Sequence, residues 1–227
     1  MAAAAKGAGL IFVCNPNNPT ATVHSAARIT AFVDEVSRLS PDTVVMIDEA
    51  YYDYVTDPRF TTSAPLALSR PNVLMLRTFS KAHGMAALRL GYAIAQPKTA
   101  DALARYRMPY NTNNFVIGAG LASVDDESYL ARERARNTEV RAFTIKMFAD
   151  LGFQATDSET NFLLVDIKRP ARDFAAACAQ QGVLVGREFP PLEKTHSRIS
   201  IGTMEEMQKA AVVFKAVLTA PAAAPRG

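Results

Sequence analysis

The sequence contains no tryptophan, only two cysteines, and no apolar run of about 18 residues. The missing run argues against a transmembrane helix. The opening MAAAAKGAGLIFVCNP lacks the basic start and cleavage site of a signal peptide. Cys14 and Cys178 each lie in an apolar context, so we expect buried free thiols rather than a disulfide. These absences predict a cytoplasmic protein with no membrane partner.

Clusters of one charge sign are also missing. The chain carries 25 Lys and Arg residues against 22 Asp and Glu, and its densest basic stretch, residues 131–141, interleaves glutamates with arginines. That pattern is typical of a solvated helix face, so we expect no nucleic-acid partner. His24, His83 and His196 lack the spacing of ligands on one helix, and we predict no metal site.

Apolar segments alternate with helical patterns in the first half of the chain. The strand-like segments are continuously apolar rather than alternating, and they lie at residues 10–15, 44–48, 73–78 and 91–95. Continuous apolar strands are typical of a sheet covered on both faces, so we expect an α/β fold with a mostly parallel, doubly wound sheet. Between the first two strands, apolar residues at one-face spacing predict a helix with Ser25 as its N-cap.

The second half has a different pattern. A long charged helix is predicted from about Asp126 to Leu151, where Gly152 ends it. After it we predict strands and helices at residues 160–167, 171–182, 183–189, 197–203 and 204–218. The expected organisation is a large domain at 1–125, a connecting helix at 126–151, a smaller α+β domain at 152–220 and a disordered tail at 221–227.

Polar segments follow three of the apolar runs: NPNNPTAT, DEAYYDY and TFSKAHG. The carboxyl ends of parallel strands meet at one edge of a sheet, where ligands bind. We therefore expect one site built from Asn18, Asp48, Tyr51, Thr78, Ser80 and Lys81. An ATPase is a weaker alternative, because VVMIDEA is similar to a Walker B strand but no Gly-rich loop ending in Gly-Lys-Ser/Thr occurs.

Four motifs, NPNNPTAT, DEAYYDY, TFSKAHGMAALRLGY and SRISIGT, occur in an order that resembles fold-type-I pyridoxal-phosphate enzymes. More narrowly, the chain resembles the class I/II aminotransferases of the histidinol-phosphate aminotransferase group, over about residues 8–218. The resemblance implies a pyridoxal 5'-phosphate cofactor, a homodimer, and transamination between a 2-oxo acid and an amino acid or histidinol phosphate. Two alternatives remain open: a lyase or decarboxylase with the same cofactor, and a truncated non-catalytic remnant.

The resemblance also implies roles for single residues. Lys81 would form the Schiff base with the cofactor aldehyde and then move the substrate α-proton. Asp48 would keep the ring nitrogen protonated, which sustains the electron sink. Tyr51 and Asn18 would contact the ring's phenolic oxygen. Glu49 is expected to point to the opposite face, without a catalytic role.

Further residues would bind the charged ends of cofactor and substrate. Thr78, Ser80 and Arg89 would hold the cofactor phosphate, because hydroxyls and a guanidinium suit a dianion. Arg198 in SRISIGT would bind the substrate α-carboxylate, with Asn18 also at the substrate. His83 is expected at most to pack beside the cofactor.

Two features depart from the family pattern. Ala21 stands where the family has glycine, and a positive φ would cost alanine about 1 kcal/mol. We therefore expect a negative φ at Ala21 or a shifted loop. The neighbouring Asn18–Pro19 bond can be cis in this fold. Relatives also carry a long segment before the first motif, so we expect this chain to bind cofactor weakly or to need a complementing fragment.

Overall fold

The computed structural model describes residues 2–220, which divide into two compact units. Unit 1 comprises residues up to Asn17 and from Val23 to Arg134, and unit 2 comprises Asn18–Thr22 and the residues from Ala135 onward. The division falls within a long helix, whereas the sequence pattern placed the boundaries at the ends of that helix. The tail expected at 221–227 lies outside the described residues.

Unit 1 is built on a four-stranded sheet in the order β1-β2-β3-β4. The strands are β1 (Leu10–Cys14), β2 (Val44–Asp48), β3 (Val73–Thr78) and β4 (Gly91–Ile94). The first three are parallel neighbours, and β4 pairs antiparallel with β3. The predicted α/β fold with a mostly parallel sheet is confirmed.

Four α-helices of unit 1 precede the long charged helix, and the first two of them pack on one face of the sheet. They are α1 (Ala26–Leu39), α2 (Ala64–Ser69), α3 (Pro97–Ala104) and α4 (Asn114–Asp125). Ser25 caps α1 as predicted, since its side chain accepts a hydrogen bond from the Arg28 N–H. Apolar residues of α1, including Val33 and Val36, pack on the β2 and β3 side chains of that face. Each fully buried valine contributes about 1.5–3 kcal/mol of transfer free energy, which holds the helix against the sheet.

Unit 2 contains most of α5 (Glu127–Asp150) and a three-stranded antiparallel sheet. The order is β5-β6-β7, with β5 at Gln154–Ala155, β6 at Phe162–Asp166 and β7 at His196–Ser200. Helices α6 (Ala171–Ala179) and α7 (Met204–Thr219) complete the unit. Its core includes the rings of Phe148, Phe174 and Phe214, each at most 2% exposed. The predicted α+β character of this region agrees with these elements.

One predicted strand, at residues 183–189, is wrong. The segment has no strand pairing, and Leu184 within it is 88% exposed. Gly186 supplies no side chain to pack at the middle of the run. Pro190 and Pro191 follow it and lack the N–H groups that a continuing ladder requires.

The loop around Ala21 also differs from expectation. Ala21 has φ +63° and is fully buried, so the expected negative φ is wrong. Within unit 2, its carbonyl accepts a hydrogen bond of 2.9 Å from the Glu159 N–H, which holds the residue in the left-handed region. The Asn18–Pro19 bond in this loop is cis.

None of the helices within residues 2–220 combines the length and apolar character needed to cross a bilayer.

Candidate active site

Asp48 is the last residue of β2, and it pairs with Leu76 near the end of β3. Its Oδ1 accepts a 2.9 Å hydrogen bond from the Ala50 N–H. Burial raises the pKa of Asp48 above its ordinary value, against opposite effects of the Ala50 N–H and the Lys81 ammonium. A partly buried carboxylate of this kind is stabilised by a cationic group placed beside it.

Lys81 lies in a turn that follows β3. The turn is closed by hydrogen bonds from the Gly84 N–H to the Lys81 carbonyl (2.8 Å) and from the Met85 N–H to the Phe79 carbonyl (2.9 Å). The Lys81 Nζ lies 5.4 Å from the centroid of the Tyr51 ring, and Tyr51 is 4% exposed. The segments that follow β2 and β3 therefore place an acid, a phenol and an amine near one another.

Thr78, Ser80 and Arg89 form a second group beside the same turn. The Ser80 N–H donates to the Thr78 hydroxyl at 3.1 Å, and the Arg89 Nη1 lies 3.5 Å from the Ser80 hydroxyl. Arg89 adopts a left-handed backbone conformation with φ +56°, directly after a short 3₁₀ turn at Ala86–Leu88. Two hydroxyls and an exposed guanidinium are a donor set that suits a phosphate dianion.

Asn18 and Arg198 both belong to unit 2. The Arg198 Nη1 donates to the Asn18 Oδ1 at 3.1 Å. The guanidinium carbon lies 4.7 Å from the Phe162 ring centroid and 4.9 Å from that of Phe189. The Arg198 Nε is buried without a hydrogen-bond partner among the described residues. A guanidinium that lies beside two aromatic rings retains planar N–H groups that suit a carboxylate.

The sequence reading missed a buried charge pair next to Asp48. Glu49 is 1% exposed, and its Oε2 lies 3.1 Å from the Arg77 Nη2. Arg77 also stacks on the ring of Tyr52, with its guanidinium carbon 3.5 Å from the centroid. The available signal was a single arginine inside the otherwise apolar run VLMLRT.

His83 lies two residues after Lys81 and contacts several neighbours. Its Nδ1 is 2.7 Å from the Ser123 hydroxyl, and its ring centroid is 4.6 Å from that of Phe79. Burial lowers the pKa of His83, while the Asp53 carboxylate acts in the opposite direction. Its contacts tie the lysine turn to α4. Among residues 2–220, no group of three or more His, Cys, Asp or Glu side chains could hold a metal ion.

Comparison with known proteins identifies the family. The family model for aminotransferase class I and II matches residues 1–214. The chain belongs to the class I and II aminotransferase family. The histidinol-phosphate aminotransferase of Symbiobacterium thermophilum is 39% identical over 216 residues, which cover 95% of this chain and 58% of that protein. The aromatic amino acid aminotransferase of Thermobifida fusca is 36% identical, over 87% of this chain and 53% of that protein.

Among solved structures of this aminotransferase family, the histidinol-phosphate aminotransferase of Sinorhizobium meliloti in complex with pyridoxal-5'-phosphate has a TM-score of 0.83. It is 29% identical, and the match covers 92% of this chain and 57% of that one. The fold is thus that of the aminotransferases. The chain spans a little over half the length of the relatives it matches.

The residues of this chain fit the cofactor named in that structure. Asp48 provides a carboxylate whose charged form is disfavoured by burial and would be stabilised by an adjacent cation. Lys81 provides an amine on the same sheet edge. The group of Thr78, Ser80 and Arg89 offers phosphate donors. The chain therefore has groups for a pyridinium nitrogen, an aldehyde and a phosphate.

Proposed function

We propose that this chain is a pyridoxal-phosphate-dependent aminotransferase module that transfers an amino group between a 2-oxo acid and an amino acid or histidinol phosphate. The observation that carries the proposal is geometric: Asp48 ends β2, and the Lys81 amine in the turn after β3 lies 5.4 Å from the ring centroid of Tyr51, which follows Asp48 by three residues. Membership of the aminotransferase family supports it further.

Bound pyridoxal phosphate supplies an aldehyde that attaches to amines and a ring that accepts electrons from the substrate α-carbon. Asp48 holds the proton on the ring nitrogen, because an adjacent carboxylate stabilises the cationic ring. Lys81 is the attachment point of the cofactor and the base that removes and returns the proton at the substrate α-carbon. Tyr51 donates a hydrogen bond to the ring's phenolic oxygen.

The remaining roles are in binding. Thr78, Ser80 and Arg89 hold the phosphate. Arg198 binds the substrate α-carboxylate through its guanidinium. Asn18 accepts a hydrogen bond from Arg198. Its assigned role is to contact the phenolic oxygen of the cofactor and the substrate.

The curated relatives favour transamination over decarboxylation, since those named above are aminotransferases. They also differ in substrate, so both histidinol phosphate and an aromatic amino acid are donors to test. Analysis of the product distinguishes the reactions: a 2-oxo product with exchange of a labelled α-proton supports transamination, and release of carbon dioxide contradicts it.

We also propose a homodimer in the cytoplasm. The buried thiol of Cys178 supports a reducing compartment. Large apolar side chains of unit 1 are exposed, among them Tyr110 at 101% and Phe115 at 92%, and association with a second copy would bury such side chains. Sedimentation of the purified chain tests the dimer.

Cofactor attachment tests the central part of the proposal. The full chain is incubated with saturating pyridoxal phosphate, reduced with borohydride and mapped by peptide mass spectrometry. We expect one adduct, on Lys81, that disappears in Lys81→Met and persists in the matched surface variant Lys98→Met. Absence of an adduct on Lys81 at saturating cofactor would contradict the proposal and support a non-catalytic remnant.

A further inference from the structure

Glu49, the residue after Asp48, is buried with its hydrogen-bonding capacity used. Its side chain accepts hydrogen bonds from the Thr62 hydroxyl at 2.9 Å and from the Ser63 N–H. The Arg77 guanidinium donates to it at 3.1 Å. A carboxylate buried without partners would cost several kcal/mol, so these three donors are what make the burial tolerable.

Arg77 is itself held on two sides. Its guanidinium lies between the Glu49 carboxylate and the Tyr52 ring, 3.5 Å from the ring centroid. The Tyr52 N–H also donates to the Glu49 carbonyl at 2.9 Å. We call Glu49, Tyr52, Thr62, Ser63 and Arg77 the Glu49 cluster. It connects the exit of β2 to β3 and to the segment before α2.

The cluster lies directly beside the residue that would hold the cofactor ring. Successive side chains of a strand point to opposite sides, and the Glu49 N–H extends the β2–β3 pairing by donating to the Leu76 carbonyl at 2.9 Å. Anchoring Glu49 on one side of the strand thereby sets the direction of the preceding Asp48. The Asp48 carboxylate is oriented further by the Ala50 N–H.

We propose that Glu49 is a positioning residue: by binding Thr62, Ser63 and Arg77 on one side of β2, it holds Asp48 on the other side, within electrostatic reach of Lys81. This role deepens the proposed function and rests on it. Glu49 touches neither cofactor nor substrate in this role. It acts through Asp48.

The test measures the Asp48–Lys81 coupling without cofactor. Asp48 is titrated by carbon-13 NMR in the full cofactor-free chain, with Asp48→Asn to assign its signal. In the wild-type chain the Lys81 ammonium lowers the pKa of Asp48. We define the coupling as the rise in the Asp48 pKa when Lys81→Met removes that ammonium. Because no cofactor is needed, failure here is distinguishable from failure of cofactor attachment, which tests the proposed function.

The variants separate positioning from general stability. Glu49→Ala combined with Arg77→Met removes the cluster without leaving an unpaired arginine, and we expect it to lose more than half of the coupling. Glu49→Gln keeps an acceptor for the Ser63 N–H and is expected to retain most of it. The control is Arg141→Met with Glu159→Gln, a charge pair 3.8 Å apart in unit 2, which should leave the coupling unchanged.

Wild-type coupling in the Glu49→Ala/Arg77→Met chain would overturn the proposal. So would a loss in Glu49→Gln as large as that in the double variant, because hydrogen-bonded positioning would then not be the cause. If the double variant does not fold, Thr62→Val removes one donor with little change of shape. A partial loss of coupling is then expected, and an unchanged coupling would refute the role of the cluster.

Discussion

Replacement of Asp48 by asparagine is the substitution with the clearest expected effect on cofactor binding. The change keeps the size of the side chain and its acceptor for the Ala50 N–H, and it removes the negative charge. A hydrogen bond to a charged group contributes about 1.5–3 kcal/mol. Losing the ionic part of the contact to the ring nitrogen should therefore raise the cofactor Kd about 10- to 150-fold.

The assay is a titration of the cofactor-free chain with pyridoxal phosphate, followed by fluorescence. Asp34→Asn on α1 is the matched control, since Asp34 pairs with Arg70 on the surface. The pH dependence gives a second check. Burial raises the pKa of Asp48, so the wild-type affinity should fall as the pH decreases, starting at a higher pH than for an ordinary aspartate. A Kd changed less than twofold in Asp48→Asn would refute the reasoning.

Three further outcomes are expected. Arg198→Met should raise KM for the amino donor about 10- to 150-fold, from the loss of a charged hydrogen bond, while the cofactor Kd measured by fluorescence stays unchanged. Phe148→Ala should lower the free energy of unfolding by about 3–5 kcal/mol in urea titrations, because the ring is fully buried and stacked on Phe214; a loss below about 1 kcal/mol would contradict the packing. Burial lowers the pKa of His83, so the folded state favours its neutral form: stability should be fully present above the ordinary histidine pKa of 6.5 and fall as the pH decreases below it. Urea midpoints across that range should decline less in His83→Phe, and an equal decline in both chains would exclude His83 as the cause.

The strands of unit 1 and the start of α1 were predictable from the sequence, because they depend on local patterns of residues. Continuously apolar runs predicted the strands of unit 1 because such runs suit a sheet covered on both faces. Ser25 was recognisable as a cap because its hydroxyl is the acceptor that the first helical N–H groups need. The segment at 183–189 was not predictable in this way, since its apolar pattern matches a strand but Gly186 and the following prolines leave it without a ladder.

The sequence predicts which residues form the candidate site, and it does not predict the contacts that support them. Asp48 and Lys81 follow two different parallel strands, whose carboxyl ends meet at one edge of the sheet. The pairing of Glu49 with Arg77 joins residues 28 positions apart, and nothing in the local pattern of either residue specifies that contact. Likewise, the positive φ of Ala21 is imposed by its surroundings against the preference of alanine.

The protonation of the cofactor ring tests the central claim most directly. Pyridoxal phosphate labelled with nitrogen-15 in the ring is bound to the full chain, and its NMR signal distinguishes a protonated from an unprotonated nitrogen. We predict a protonated nitrogen in the wild-type chain and an unprotonated one in Asp48→Asn at neutral pH. An unprotonated nitrogen in the wild-type chain, or the same signal in both chains, would contradict the placement of one ring between Asp48 and Lys81.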